Sequence, residues 1–208
     1  RGLGDVYKRQ VSDCMNIMKY KHQFHMNKND LYCNAGMYLV DLKKWREEKV
    51  EDKIIKRIHE QNGNVFFFEQ TLMNWSCSGK ILQLPPKYNA YTLFWAFTYK
   101  NLICWRKPNA FYLESEVEEA KDNPIIIHFT RNFYMLSRPW IKGCDHPKTK
   151  EYVKYKLLTP WKQLEEDNRS KKSIRRYKLW HIIPQRILAI GAGVIYNEVR
   201  PKLWWKNE

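Results

Sequence analysis

The sequence predicts an α/β fold, and three observations carry that prediction. Short apolar runs at 37–40, 81–84 and 125–127 alternate with longer amphipathic stretches rich in Lys and Glu, the pattern of strands separated by helices. Hydrophobic residues make up 44% of the 208 residues and aromatics 15%, enough for a packed core in one or two domains and against disorder. Basic and aromatic residues then crowd together from Arg169 onward, so a basic helical tail is expected after the α/β body.

Residues 1–10, RGLGDVYKRQ, join abruptly to the polar segment that begins at Val11. We expect them to be a leader foreign to the chain, the true protein extending further upstream. Residues 11–30 are polar and rich in His, Lys and Met without a sustained period, an irregular or helical lead-in. His22 and His25 have no acid or thiol at ligand spacing and read as surface residues.

Residues 31–42, LYCNAGMYLVDL, form a strand signal whose apolar run at 37–40 suits burial on both faces. At its entrance Asn34, Ala35 and Gly36 make either a tight turn or a place where a sugar approaches the backbone, since the Asn amide both donates and accepts. Leu42, Trp45, Ile54, Ile55 and Ile58 mark one amphipathic helix, closed by Asn62 and Gly63. Residues 65–76, VFFFEQTLMNWS, pass from a Phe run into a second helix that stops near Gly79. Glu69 and Gln70 fall at that junction. Glu69 is either a first-turn acid favoured by the helix dipole or, with Gln70, half of an acid–amide pair beside a sugar ring where positive charge develops.

A short strand at 81–84 ends at Pro85 and Pro86, with Lys87, Tyr88 and Asn89 in the loop beyond. Tyr91, Phe94, Trp95, Phe97, Tyr99 and Trp105 read as core in preference to a stacking platform for sugars. An acidic helix at 114–122 leads into residues 124–140, PIIIHFTRNFYMLSRPW. There Ile125, Ile126 and Ile127 read as a buried strand delivering His128 to its end, as a hydrogen-bonded rim residue or as a metal ligand. Arg131, Arg138 and Trp140 lie in the next loop, and two guanidinium forks suit phosphate oxygens.

A net charge of +15 calls for an acidic partner: nucleic acid, anionic lipid or a phosphorylated small molecule. Nucleic acid is disfavoured, because the densest basic block is terminal and no RRM, KH or zinc pattern occurs. Between Arg169 and Arg186 seven basic residues and no acid are interleaved with Tyr177, Leu179, Trp180, Ile182 and Ile183, and a solvated surface helix is the plain alternative to a binding segment. Residues 187–196, ILAIGAGVIY, are too few to span a bilayer, yet Arg186, Arg200, Trp204 and Trp205 around them suit the interface of an anionic membrane. Packing of this tail on the body is the alternative. Five cysteines with no CxxC pair indicate neither a disulfide framework nor a zinc site, and a reducing, cytoplasmic setting is expected.

Taken together, these motifs resemble glycosyltransferase family 8, which includes bacterial lipopolysaccharide galactosyl- and glucosyltransferases and glycogenin. The likeness covers about residues 29–161, with Asn34-Ala35-Gly36 and MYLVDLKKWRE, then Phe68-Glu69-Gln70-Thr71 in place of an Asp-Gln-Asp segment, then LPPKYN, IIHFT and RPW in order. The resemblance implies a GT-A (Rossmann-like) fold, with residues 11–165 its C-terminal part and 166–208 a basic tail. It implies a retaining hexosyltransferase that moves galactose or glucose from a UDP-sugar, with Mn2+ or Mg2+, onto a surface-glycan, glycolipid or lipopolysaccharide acceptor at the inner face of the plasma membrane. His128 would be a metal ligand beside an Asp-x-Asp pair. Arg138, with Arg131 as a second candidate, would bind the diphosphate. Gln70 would sit near the anomeric carbon and Glu69 on the donor sugar. Asn34, with Ala35 and Gly36, would line the donor or acceptor side, and Trp140 the substrate loop. No Asp-x-Asp occurs in the 208 residues, Glu69 and Thr71 replace two acids, and the loop after His128 is long. The piece alone is therefore expected to be inactive, and an inactive relative that serves as a binding protein is the alternative.

Overall fold

The computed structural model describes residues 8–13, 16–24, 26–108 and 110–205; most of the expected leader, His25 and the His22 side chain lie outside the described residues. β1 (Lys8–Ser12) is the central strand of a three-stranded sheet, between antiparallel β2 (Cys33–Val40) and parallel β3 (Ile81–Gln83). The junction expected at residue 11 thus falls inside a strand. Tyr112 joins the ends of the sheet, its hydroxyl accepting from Ser12 N–H at 2.9 Å and donating to the Leu84 carbonyl. Burial on both faces, expected for 37–40, is not found: β2 is an edge strand, and Tyr38 and Leu39 are 49% and 61% exposed.

After α1 (Met18–Gln23), the single helix expected from Leu42 is two, α2 (Leu42–Glu47) and α3 (Val50–Glu60). Lys49 between them is left-handed, with φ 50°, which breaks the i to i−4 ladder. The Asp41 carboxylate caps α2 by accepting from the Lys43 and Lys44 amides. α4 (Phe68–Ser76) comes next and buries Thr71, Leu72, Met73, Asn74 and Ser76. Beyond β3, a 3-10 turn (Pro86–Asn89), β4 (Ala90–Tyr91), α5 (Leu93–Ala96), α6 (Tyr99–Arg106) and α7 (Glu114–Asp122) enclose the main core. Phe94, Phe97 and Trp105 fill that core, as the aromatic run predicts.

β5 (Ile127–His128) pairs in parallel with β4 over two residues, Ala90 with Ile127 and Tyr91 with His128. Ile125 and Ile126 lie outside the strand and are exposed, against expectation. Both their amides donate to the Lys87 carbonyl, at 2.9 and 3.1 Å, so the backbone is satisfied by the 3-10 turn and their side chains need no second layer.

α8 (Thr149–Lys156) is succeeded by α9 (Lys171–Ile182), α10 (Gln185–Val194), a π turn (Ile195–Val199) and α11 (Arg200–Trp205). α10 packs closely on α6: a Cβ at Gly193 would stand 3.2 Å from the carbonyls of Cys104 and Trp105. The Gln185 side chain accepts from Asn101 Nδ2 at 2.7 Å and donates to the Ala96 carbonyl at 3.0 Å, while Asn197 Nδ2 reaches the Trp105 carbonyl at 3.0 Å. α9 and the helix after it meet at 112°, and no single helix among the described residues is long and apolar enough to cross a membrane. Cys104 and Cys144 are free thiols.

His146 is buried between Trp95 and Phe129, with ring centroids 4.9 and 4.8 Å away, and its Nδ1 accepts from Lys148 N–H. Burial, with Lys148 adding, pushes the imidazole down from 6.5 to about 4. In that interval the unfolded chain holds the extra proton, so the contribution is complete above pH 6.5 and is lost as pH falls toward 4. The loss is on the order of 3 kcal/mol at most. Urea midpoints measured between pH 7 and 4.5 should fall on acidification and fall less steeply in His146→Gln; equal slopes would assign the acid loss to other groups.

Candidate active site

A continuous hydrogen-bonded chain of side chains joins five separated segments at the end of the sheet. Asp13, just past β1, accepts on Oδ2 from Gln70 Nε2 at 2.9 Å and from Asn34 Nδ2 at 3.2 Å. Gln70 Oε1 in turn accepts from the Ala35 backbone amide at 3.2 Å and from Asn34 Nδ2 at 3.3 Å. Asn34 Oδ1 accepts from Asn89 Nδ2 at 2.9 Å and from Gly36 N–H at 2.8 Å, and Asn89 Oδ1 faces His128 Nδ1 at 3.0 Å.

This order fixes the proton on the histidine. Because Asn89 uses its amide nitrogen on Asn34, its oxygen is what His128 Nδ1 meets, so Nδ1 carries the hydrogen and Nε2 presents a lone pair. Burial holds the imidazole below its ordinary value, and the Asp13 carboxylate offsets part of that shift, so the ring is neutral at pH 7. The ring rests directly on Gly36: a Cβ there would lie 2.2 Å from His128 Nδ1 and 2.8 Å from Asn34 Oδ1. Gly36 is therefore required for close approach.

Gln70 is placed by the first turn of α4. Asn74, one turn on and fully buried, accepts from Cys33 N–H at 2.7 Å and donates to the Cys33 and Gln70 carbonyls at 2.8 and 2.7 Å. Its amide stands in for a strand partner of Cys33 and clips α4 to the start of β2. Thr71 points inward instead, bonded to the Tyr32 hydroxyl at 2.8 Å. Before Gln70 the backbone is strained, since Phe67 and Phe68 are both left-handed, with φ 58° and 46°; each costs about 1–3 kcal/mol unless its surroundings enforce it. Phe66 stacks on Tyr20 at 4.0 Å, and the Arg200 guanidinium lies 5.3 and 5.1 Å over the Phe66 and Phe67 rings.

The structure thus brings Asn34, Ala35, Gly36, Gln70 and His128 together and adds Asp13, Asn74 and Asn89, to which the sequence assigned no role. Glu69 sits exposed in the first turn of α4, outside the chain of bonds. Arg138 returns toward β5 because Ser137 Oγ donates to the Thr130 carbonyl at 2.8 Å, closing the loop between them. Its guanidinium lies 5.7 Å from the Trp140 ring. Trp140 lines a cavity of about 700 Å³ with Ile125, Phe129 and Tyr152. Arg131 is exposed at the loop's start. Among the described residues no three His, Cys, Asp or Glu side chains cluster as a metal cage, so His128 stands as a single candidate ligand.

Comparison with known proteins places this geometry in context. Residues 3–142 match the model of glycosyl transferase family 8. The chain is 30% identical over 171 residues to the lipopolysaccharide 1,2-glucosyltransferase of Escherichia coli (strain K12), covering 79% of the chain and 45% of that protein. It is 26% identical over 161 residues to general stress protein A of Bacillus subtilis (strain 168), covering 76% and 52%. The chain therefore spans about half the length of these curated relatives. A solved structure of the galactosyltransferase LgtC with donor and acceptor sugar analogs superposes with a TM-score of 0.54 at 15% identity, over 85% of this chain and 58% of that one. The apo structure of WbbM, a bifunctional glycosyltransferase, gives 0.58 at 16%, over 86% and 31%. The shared fold is GT-A.

Gly36→Ala should drive the His128 ring out of its place, costing about 1–3 kcal/mol in stability and breaking the bond to Asn89. Its NMR titration should move up toward the ordinary histidine value as burial is relieved; an unmoved titration would show that the ring does not lean on position 36.

Proposed function

Since the chain belongs to glycosyltransferase family 8, we propose that the whole protein is a retaining hexosyltransferase. The donor is a UDP-sugar, galactose or glucose, and the acceptor a surface glycan or lipopolysaccharide. The observation that carries this reading is the bonded chain from Asp13 through Gln70, Asn34 and Asn89 to His128. It supplies one wall of a sugar site, with an amide, a carboxylate and a neutral imidazole in fixed orientations.

Each residue has a part. Gln70, its oxygen held by two donors and its nitrogen by Asp13, sets a fixed dipole beside the anomeric carbon, where positive charge develops as the glycosidic bond breaks. Asp13 is the positioning residue for that amide. Asn34, Ala35 and Gly36 offer a close backbone approach to sugar hydroxyls, and Glu69 reaches the donor sugar from the helix start. Arg138, with Arg131, binds the departing diphosphate. The family implies Mn2+ or Mg2+, and His128 fits one ligand position: Nδ1 is committed to Asn89 and Nε2 is left for a cation. A bound divalent cation would neutralise charge building on the leaving diphosphate. A second reading, a binding relative without transfer, draws on the lack of an Asp-x-Asp in the sequence.

The tail supports peripheral attachment to the cytoplasmic face of an anionic membrane. α10 turns Ile187, Ile190 and Val194 outward, each more than half exposed, next to the basic α9, the composition of an interfacial helix. Because Leu188 and Ala189 are buried in the body, truncation of the tail would disturb the fold, and point changes are the cleaner probe. Ile187→Ser with Ile190→Ser should weaken binding to phosphatidylglycerol vesicles about 100-fold or more by removing two side chains' worth of transfer energy; undiminished binding would refute attachment through this face.

In the intact protein, Gln70→Ala should lower turnover of UDP-hexose hydrolysis about 100-fold or more with an unchanged circular dichroism spectrum. His128→Ala should abolish the manganese dependence of that rate. A wild-type protein without hydrolysis of any UDP-hexose would favour the binding relative, and full activity in Gln70→Ala would overturn the assignment.

A further inference from the structure

A second cavity, of about 440 Å³, lies between the loop after β5 and the first turns of α9, and its charge is one-sided. Arg131 and Arg138 face it from the loop, and Arg169, Lys172 and Arg176 from the helix side, with no carboxylate in the lining. The two sides are pinned together. Lys142 N–H donates to the Asp167 carbonyl and Asp167 N–H to the Trp140 carbonyl, each at 2.9 Å, and Arg169 Nε donates to the Lys142 carbonyl at 3.3 Å. Further along, Phe133 meets Trp180 edge to face at 6.0 Å and Tyr134 stacks on His181 at 4.5 Å. The long loop after His128 is thus what holds the basic helix in place beside this cavity.

Three donors in this cavity are unused. Arg138 Nε, Arg169 Nη2 and Asn132 Nδ2 are buried atoms with no hydrogen-bond partner among the described residues. Asn132 has its oxygen committed to the amides of Tyr134 and Met135, at 2.8 and 2.7 Å. Buried guanidinium nitrogens without partners are costly, and five cations round one space repel one another. An anion with several oxygens resolves both.

The donor diphosphate does not account for them all. It carries about two negative charges, and a divalent cation balances these, so Arg131 and Arg138 already suffice for it. Arg169, Lys172 and Arg176 are surplus. Resting on the reading of the chain as a transferase, we propose that this cavity holds a phosphate group of the acceptor, and that the acceptor is a phosphorylated glycan or glycolipid.

The test uses the 208-residue chain in EDTA, with inorganic pyrophosphate as the probe and calorimetry as the readout. Binding should be saturable and one-to-one. It should weaken about tenfold or more in Lys172→Gln with Arg176→Gln and change less than about twofold in the charge-matched pair Lys171→Gln with Arg175→Gln, which lies on the same helix outside the cavity. No saturable binding, or equal weakening in both pairs, would overturn the site. Displacement of bound pyrophosphate by phosphatidic acid in phosphatidylcholine vesicles assigns the phosphate to a lipid carrier; displacement only by a soluble sugar monophosphate assigns it to the glycan. In the intact protein, UDP-hexose hydrolysis should be unaffected by Lys172→Gln with Arg176→Gln. A parallel fall in hydrolysis would mean that Lys172 and Arg176 serve the donor as well and would sink the acceptor assignment. Pyrophosphate binding in a protein that hydrolyses no donor would instead sink the transferase reading and leave an anion site alone.

Discussion

The site depends on a side chain in the interior, Asn74. Its amide satisfies both the N–H and the C=O of Cys33 and also takes the Gln70 carbonyl. It thereby locks the first turn of α4 to the entrance of β2. Those are the two segments whose side chains must meet, since Gln70 Oε1 reaches the Ala35 amide only if the helix stands in that register. Removing the Asn74 amide would take a hydrogen bond from each of two backbone groups of Cys33 in a buried setting, at a cost of about 1–3 kcal/mol each. The polar chain from Asp13 to His128 is built outward from this clip, and each member is oriented by the one before it.

How much of this the sequence discloses varies with the physics involved. α4, α7, β3 and the aromatic core are legible because their signal is local: periodicity, turn residues and bulk. The helix break at Lys49 is not, because a left-handed lysine leaves no trace in composition. Ile125 and Ile126 mislead for a similar reason, as β-branched residues signal a strand while the Lys87 carbonyl decides where their amides go. In the site, Asn34, Gly36, Gln70 and His128 are found through motifs of a family. Asp13 and Asn89 are missed, since what marks them is a partner 57 residues away for the one and 39 for the other. Asn74 had a faint signal, an amide inside the apolar run LMNW.

The tail is less separate from the body than its composition suggests. One face of α10 is core, through Leu188, Ala189 and Gly193, and the opposite face is open. Beyond it Tyr196 lies between Arg106 and Arg200, with guanidinium distances of 4.8 and 4.9 Å. Arg200 in turn covers Phe66 and Phe67, just before α4. The strained turn at Phe67 and Phe68 is therefore held from one side by Tyr20 and from the other by the last described helix.

The contact between Gly36 and His128 makes two distant positions a single unit of inheritance. A methyl group at 36 has no room while an imidazole stands at 128, and a smaller residue at 128 would make that room by giving up the only imidazole in the bonded chain. Neither position can drift alone. In sequences related to this one, a side chain larger than hydrogen at position 36 should travel with the loss of histidine at 128, so the pair read together separates chains that retain this wall from chains that have kept only its shape.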